Sequence, residues 1–413
     1  MSTIATDVNV STIATDVDVW VDENWDTSIT LRTWWRRLAE AGYSQPTWPA
    51  GLGGLGVDSR AARVITDALA ARGVIPAPSG MAPNMGGPTI LEHGDAAQRG
   101  RLLGVARGEE AWCQLFSEPD AGSDLAGLRT TATPDGDDYI VTGQKVWNSS
   151  ADLADWGMLL ARTDPEAPKH AGLSFFLIDM CQPGIEARPL RTMNGNSQFC
   201  EVFINQARAC ASDVVGGLNN GWRVASTMLR HERRMAASGV SRSLLAPVAG
   251  ALSGNLERTV GDLLADARER PAEQPAAMIT KARTLIRLAQ EHGVSDDPVL
   301  RDELAAYYIR SEVYRLTNLR SRAAAAAGKT PGPETSIAKL ALSGLARASR
   351  DLGLRVIGAG GMIVGPGSAS GGRLQYATLS APGVSIGGGT DEIQRNVIGE
   401  RALGLPREPG SPS

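Results

Sequence analysis

The sequence predicts an α+β protein built as three consecutive blocks, helical, then β, then helical. Three observations carry this. Apolar residues recur at helical spacing up to about Glu110, short β-branched and aromatic runs broken by turn signals fill Trp112 to Ala211, and long helical patterns return after Gly217. At 413 residues the chain can form two or three packed units rather than one core.

The blocks read in order as follows. STIATDVNV (Ser2 to Val10) is repeated almost unchanged as STIATDVDV (Ser11 to Val19), with no evident apolar face, so residues 1–19 read as a disordered, mobile tail or a start-site artefact without a role. Residues 20–111 form the N-terminal helical domain: in TSITLRTWWRRLAEAGY, Ile29, Leu31, Trp34, Trp35 and Leu38 keep helical spacing until Gly42 stops the run. Residues 112–212 form the middle β domain through DYIVTGQKVW, DWGMLLART, HAGLSFFLIDM and CEVFINQARA, with PDGDD and QPG as turns. Residues 213–405 hold the C-terminal helices, and 406–413 (PREPGSPS) form a disordered tail.

Composition excludes several function classes. Forty-one basic against 45 acidic residues, without long runs of either sign, argue against nucleic acid as a partner. Cys113, Cys181, Cys200 and Cys210 lie far apart, which suits free thiols in a reducing compartment, and the four histidines have no HxxxH spacing, so no metal site is expected. No apolar run approaches the roughly 18 residues that span a bilayer, so the chain is expected in the cytoplasm with no membrane partner. Five lysines against 36 arginines, with abundant Ala and Gly, suggest a GC-rich bacterial source.

Two stretches of the β domain carry chemistry. In WCQLFSEPDAGSDLAGLRT (Trp112 to Thr130), Pro119, Gly122 and Ser123 would expose backbone N–H groups and hydroxyls suited to a diphosphate or a heteroaromatic edge, although an ordinary Gly/Ser turn has the same spacing. In GQKVWNSSADLADW, Trp147 and Ser149 offer an aromatic plane beside a hydroxyl, which is also how a core Trp next to a turn serine reads.

SEPDAGSD, GQKVWNSS, the GW opening the C-terminal helices, and GGGTDEIQRNVIGERALGLP occur in the order and spacing of one known family. From about Trp20 to Pro406 the chain resembles the acyl-CoA dehydrogenases, which implies a β barrel or sandwich in the middle domain and a four-helix bundle in the C-terminal one. The resemblance implies non-covalent FAD, with Gln114, Phe116, Ser117, Gly122 and Ser123 lining the flavin and its diphosphate, Trp147 flanking the isoalloxazine and Ser149 near N5. It further implies that Arg301 reaches the FAD diphosphate of a neighbouring subunit and that Glu312, Arg355, Gly358, Thr390 and Glu392 add contacts, so that a homo-oligomer, dimer or tetramer, shares the site. Ser123, Arg230, Arg233 and Gly389 are the implied substrate contacts. Gln114 stands where an aromatic is frequent, Ser149 replaces a common Thr, and Glu392 a frequent Gln.

The reaction the family performs removes an α-proton from an acyl thioester and passes the β-hydride to flavin N5, so it needs a carboxylate against Cα. Many members carry that Glu immediately before the Gly-Thr pair, where this chain has Gly388. Members similar to the isovaleryl- and long-chain-acyl dehydrogenases place it instead in a Glu-Arg pair on a C-terminal helix, which here is Glu232 and Arg233. Met228, Leu229, Met235 and Ala236 lie one turn away from Glu232, an apolar stripe whose desolvation would raise a carboxyl pKa as a base requires. A Glu salt-bridged within a helix contact is the bland reading. Asp391 and Glu392 on the cofactor side, and Glu400, are weaker candidates for the base.

The expected activity is FAD-dependent α,β-dehydrogenation of an acyl-CoA, or of an acyl carrier protein thioester, with electron-transferring flavoprotein as acceptor. Three glycines at 387–389 leave volume for a branched or bulky acyl chain. Two rivals remain on this scaffold, a flavin-dependent oxidase or N-oxygenase, and one subunit of a hetero-oligomer whose partner supplies the base.

Overall fold

The computed structural model describes residues 10–238, 247–269, 279–326, 332, 334–365 and 367–406. The chain divides into two compact units. The first holds the described residues 10–191, 197–232 and 247–269, and the second holds 192–196, 233–238 and those from 279 onward.

In the first unit the helices α1 (Val10–Asn24), α2 (Leu31–Glu40) and α3 (Ser59–Ala71) close a core around Trp34, Trp35, Leu38 and Ile65. Both indoles are satisfied despite burial, Trp34 Nε1 donating to the Ile75 carbonyl at 2.7 Å and Trp35 Nε1 to Pro76 at 2.8 Å. Thr30 and Asp58 cap α2 and α3 by accepting from Thr33 N and from Arg60 N and Ala61 N. The short helices α4 (Gly87–His93), α5 (Ala96–Gly100) and α6 (Leu102–Ala106) lead into the sheet, α5 through a capping box of Asp95 and Gln98.

Two expectations fail here. The second copy of the repeat is no tail but most of α1, and Ile13, Val17 and Val21 are buried in the helical core. They fall at i, i+4 and i+8, so the apolar stripe becomes visible only when the repeat is read through Val21. The first copy, apart from Val10, lies outside the described residues, as does the end of the carboxyl tail from 407. The segment 247–269, placed by sequence with the C-terminal bundle, also packs in this first core. Its helix α8 (Val260–Glu269) buries Val260 and Leu263 there, and Thr30 and Thr259 form an antiparallel bridge.

The middle of the chain forms one eight-stranded sheet from β1 (Trp112–Leu115), β2 (Thr131–Asp135), β3 (Asp138–Ser149), β4 (Trp156–Arg162), β5 (Leu173–Asp179), β6 (Ile185–Leu190), β7 (Phe199–Cys210) and β8 (Val214–Val215). The order is β6-β7-β3-β2-β4-β5-β8, with β1 parallel to β4. β5 is buried at every position but its last, which explains the apolar run from Phe175 to Ile178, while the buried Ser174 hydroxyl is paired with that of Thr163 at 2.7 Å. β3 and β7 pair antiparallel over most of their length, and the register slips between Lys145 and Asn148. That bulge carries Trp147 at φ +64°. Helix α7 (Gly221–Ser238) follows, and the division between units falls inside it, after Glu232.

In the second unit α9 (Ala282–Glu291), α10 (Pro298–Ala326), α11 (Glu334–Ile357) and α12 (Arg373–Val384) share a core of Leu285, Leu288, Leu304, Tyr307, Leu352 and Leu374. Helix α13 (Asp391–Val397) is anchored by the buried Asp391, which meets Lys339 Nζ at 3.2 Å and Arg347 Nη1 at 2.8 Å. The expected sequence of a helical, a β and a second helical block is the fold observed. No helix among the described residues is long and apolar enough to cross a membrane.

Candidate active site

The base expected on α7 is met by a strand. Gln114, near the end of β1, donates from Nε2 to Glu232 Oε2 at 3.3 Å, and both side chains are half-buried. Asn148 Nδ2 holds the Gln114 carbonyl at 2.6 Å. Met228, one turn before Glu232, is fully buried and Leu229 half-buried, so the apolar side of the stripe is real, while the side chain of Ala236 lies outside the described residues.

Next to β1 on β3, the left-handed backbone at Trp147 turns its indole out of the sheet, where it remains 58% exposed with an edge contact to Phe199 at 5.9 Å. An indole so placed is an apolar plane without a cover. Ser149 is half-buried, and between the two Asn148 Oδ1 is buried with no hydrogen-bond partner among the described residues. Such an orphaned acceptor is rare in a finished interior. Val146 N donates to the Ser117 carbonyl at 2.9 Å, so β3 and the Ser117 loop are neighbours. In that loop Gly122 and Ser123 are exposed, and a Cβ on Gly122 would meet nothing within 4 Å. An uncovered aromatic plane, an unpaired acceptor and an open Gly-Ser turn fit a planar cofactor with a diphosphate arm.

Phe116 corrects the sequence reading. Its ring is 3% exposed and packs edge-on against Phe175 at 6.0 Å, so it lines the sheet's interior and no open site. Arg230 is held by Glu92 Oε2 at 2.8 Å, and Arg233 is half-buried.

The remaining residues belong to the second unit. Arg301 is exposed in the first turn of α10, Glu312 pairs with Arg315 at 2.8 Å, and Arg355 with Glu303. Gly358 opens a short 3₁₀ turn at φ +53°, and Glu392 is exposed beside Arg395 at 3.3 Å. Thr390 caps α13 by accepting from Ile393 N. Gly388 and Gly389 take φ of +68° and +89°, and Gln394 Nε2 donates to their carbonyls at 3.0 and 3.3 Å. Asp391, expected on the cofactor side, is instead 4% exposed and consumed by its two cations.

Sequence reasoning missed a second pair inside the first unit. Lys145 is fully buried and Glu118 is 8% exposed, their charged atoms 2.9 Å apart. Burial pushes the Lys145 ammonium down to about 8, with Glu118 opposing the fall. Burial would raise Glu118, but the Lys145 charge and the donors from Thr130 and Arg129 outweigh it and hold the carboxyl below its ordinary range. The alternation of β3 was the available signal, because a lysine on an inward position needs a partner. An open depression of about 510 Å³ lined by His170, Asn219, Trp222 and Arg223, among others, contains none of the residues above.

Family models of the acyl-CoA dehydrogenase N-terminal, middle and C-terminal domains match residues 9–109, 113–207 and 275–403. Acyl-CoA dehydrogenase IpdE1 of Mycobacterium tuberculosis is 36% identical over 91% of this chain and 88% of its own length. The chain belongs to the acyl-CoA dehydrogenase family. Acyl-CoA dehydrogenase FadE34 of the same organism is 38% identical over 90% of this chain, which spans only 46%, about half, of that longer protein. Among solved structures, the Tcur3481-Tcur3483 steroid ACAD superposes with a TM-score of 0.70 at 25% identity, covering 97% of this chain and 98% of that one. The ChsE4-ChsE5 complex from Mycobacterium tuberculosis gives a TM-score of 0.67 at 27% identity over 98% of this chain and 100% of that one. Members of the family are FAD-dependent.

Proposed function

We propose that this chain dehydrogenates an acyl-CoA thioester between Cα and Cβ, with Glu232 as the base. The observation that carries the reading is the Glu232 carboxylate, half-buried behind Met228 and met by Gln114, in the same unit as the uncovered Trp147 and the open Gly122–Ser123 turn. Gln114 fixes the rotation of the carboxylate, and Met228 and Leu229 limit water around it. Glu232 takes the α-proton, the β-hydrogen leaves with its bonding pair, and the α,β-enoyl thioester remains. FAD, when bound, supplies the two-electron acceptor for that hydride.

Trp147 would wall the ring, Ser149 and the Ser117 backbone would hold its polar edge, and the Gly122–Ser123 turn would hold the diphosphate. Arg301, Glu312, Arg355, Gly358, Thr390 and Glu392 are proposed, on the resemblance alone, as contacts to the cofactor of a second subunit. Ser123, Arg230, Arg233 and Gly389 are proposed, likewise on the resemblance alone, as thioester contacts, with Arg230 first leaving Glu92. The three glycines at 387–389 favour a bulky acyl chain, and a steroid-bearing one suits the relative named a steroid ACAD. Electron-transferring flavoprotein is the proposed acceptor and the cytoplasm the proposed compartment.

A second reading has its own support. Two structural relatives are named as pairs of chains, and Gly388 lacks the usual carboxylate, so this chain would act as one subunit of a mixed oligomer. Anaerobic titration of the purified chain with straight, branched and steroid-bearing acyl-CoAs, followed by flavin absorbance, separates the two. Bleaching by a bulky thioester is expected. Bleaching only after a related second chain is added favours the mixed oligomer, and failure with every thioester in both preparations contradicts the dehydrogenase reading. Rapid reoxidation by oxygen would favour an oxidase.

A further inference from the structure

The loop from Ser117 to Arg129 is closed by the buried ion pair of Glu118 and Lys145. Glu118 stands at one end of the loop and Arg129 and Thr130 at the other. Glu118 Oε2 accepts from Arg129 N at 2.7 Å, and Oε1 accepts from Thr130 N at 2.9 Å and Thr130 Oγ1 at 2.6 Å. Glu118 and Ala121 also exchange reciprocal backbone bonds at 3.0 and 3.1 Å, which tightens the turn before Gly122. Lys145 then joins the loop to the sheet. Its ammonium donates to Glu118 Oε1 at 2.9 Å, to the Phe116 carbonyl at 3.0 Å and to the Leu160 carbonyl at 2.9 Å. Those three acceptors use all of its N–H bonds. Thr130 presses so close to β3 that a Cβ on Gly143 would stand 2.2 Å from its Oγ1.

We propose that Glu118 and Lys145 are positioning residues that hold the Ser117–Arg129 loop and the Trp147 bulge in one geometry, so that flavin affinity and potential depend on a pair remote from the chemistry. Two features favour this over a plain stability role. A buried ion pair carries a desolvation cost that apolar residues of equal volume avoid, so stability alone does not select it. Its bonds also converge on both elements expected at the cofactor, the loop through Glu118 and the strand two residues before Trp147 through Lys145. An apolar pair would fill the space but could not clasp Arg129 N and Thr130 N.

The inference rests on the FAD reading of this site. The test titrates apoprotein with FAD by fluorescence quenching and records the bound flavin's reduction potential, with the melting temperature as control. The E118M/K145M double variant keeps the volume and removes both charges, and T130V removes one donor from an otherwise intact clasp. The double variant is expected to melt below the parent, because Arg129 N, Thr130 N and the Phe116 and Leu160 carbonyls lose their partners, and, at a temperature where it is folded, to bind FAD about tenfold or more weakly with a shifted potential; T130V is expected to melt near the parent and bind a few-fold more weakly. If the double variant does not fold, T130V decides. Parental FAD affinity and potential in either folded variant overturn the proposal, whereas a parent that binds no FAD overturns the cofactor reading itself.

Discussion

Trp147 and Gly388 each hold a backbone conformation that side chains rarely accept, for opposite reasons. Trp147 takes φ +64° to leave the sheet, and its 58% exposure means that little packing is lost if it is shortened. W147A is therefore expected to change stability by less than about 0.5 kcal/mol in thermal unfolding while clearly weakening FAD binding in a titration. An unchanged affinity would remove Trp147 from the site. Gly388 has φ +68° and open space, so a side chain there meets strain and no clash. G388A is expected to lose about 1–2 kcal/mol, read as a lower melting temperature. Glu232, Trp147 and the Gly-Ser turn were legible because motif spacing survives in sequence. Lys145 and Glu118 were not, since both residue types default to the surface and only the fold brings them together.

Helices and strands were legible where the signal lay within one segment, as in the helical spacing of LRTWWRRLAE and the apolar run of LSFFLID. α1 was misread because its stripe crosses the end of the repeat, and α8 because its core lies far back in the chain, where Val260 N and Gly261 N bond the Ile29 and Thr27 carbonyls ahead of α2. I13A is expected to destabilise the protein by about 2 kcal/mol in denaturant unfolding, since Ile13 is 5% exposed. No effect would restore the tail reading. α13 gives a pH test. Burial pushes the Asp391 carboxyl up, but bonds from Arg347, Ser343 and Lys339 bring it below its ordinary 3.8. A carboxyl lower in the folded than the unfolded state contributes stability above 3.8 that is lost as pH falls through the folded value. D391N is expected to be less stable at neutral pH and to flatten the acid-side loss in melting temperature, and a parallel pH profile would contradict this.

At the scale of the molecule, the helical, β and helical blocks and the family were readable from sequence, because motifs in four separate stretches kept their order. The partition into two units was not, since 247–269 returns to the N-terminal core. The central claim is that this chain keeps its proton acceptor on α7, where the terminal glycine loop offers none. Its most direct measurement is anaerobic stopped-flow reduction of the E232Q holoprotein by the thioester that best bleaches the parent. Retained flavin with reduction slowed roughly 10²–10⁴-fold is expected. Reduction at the parental rate, with flavin still bound, would contradict it.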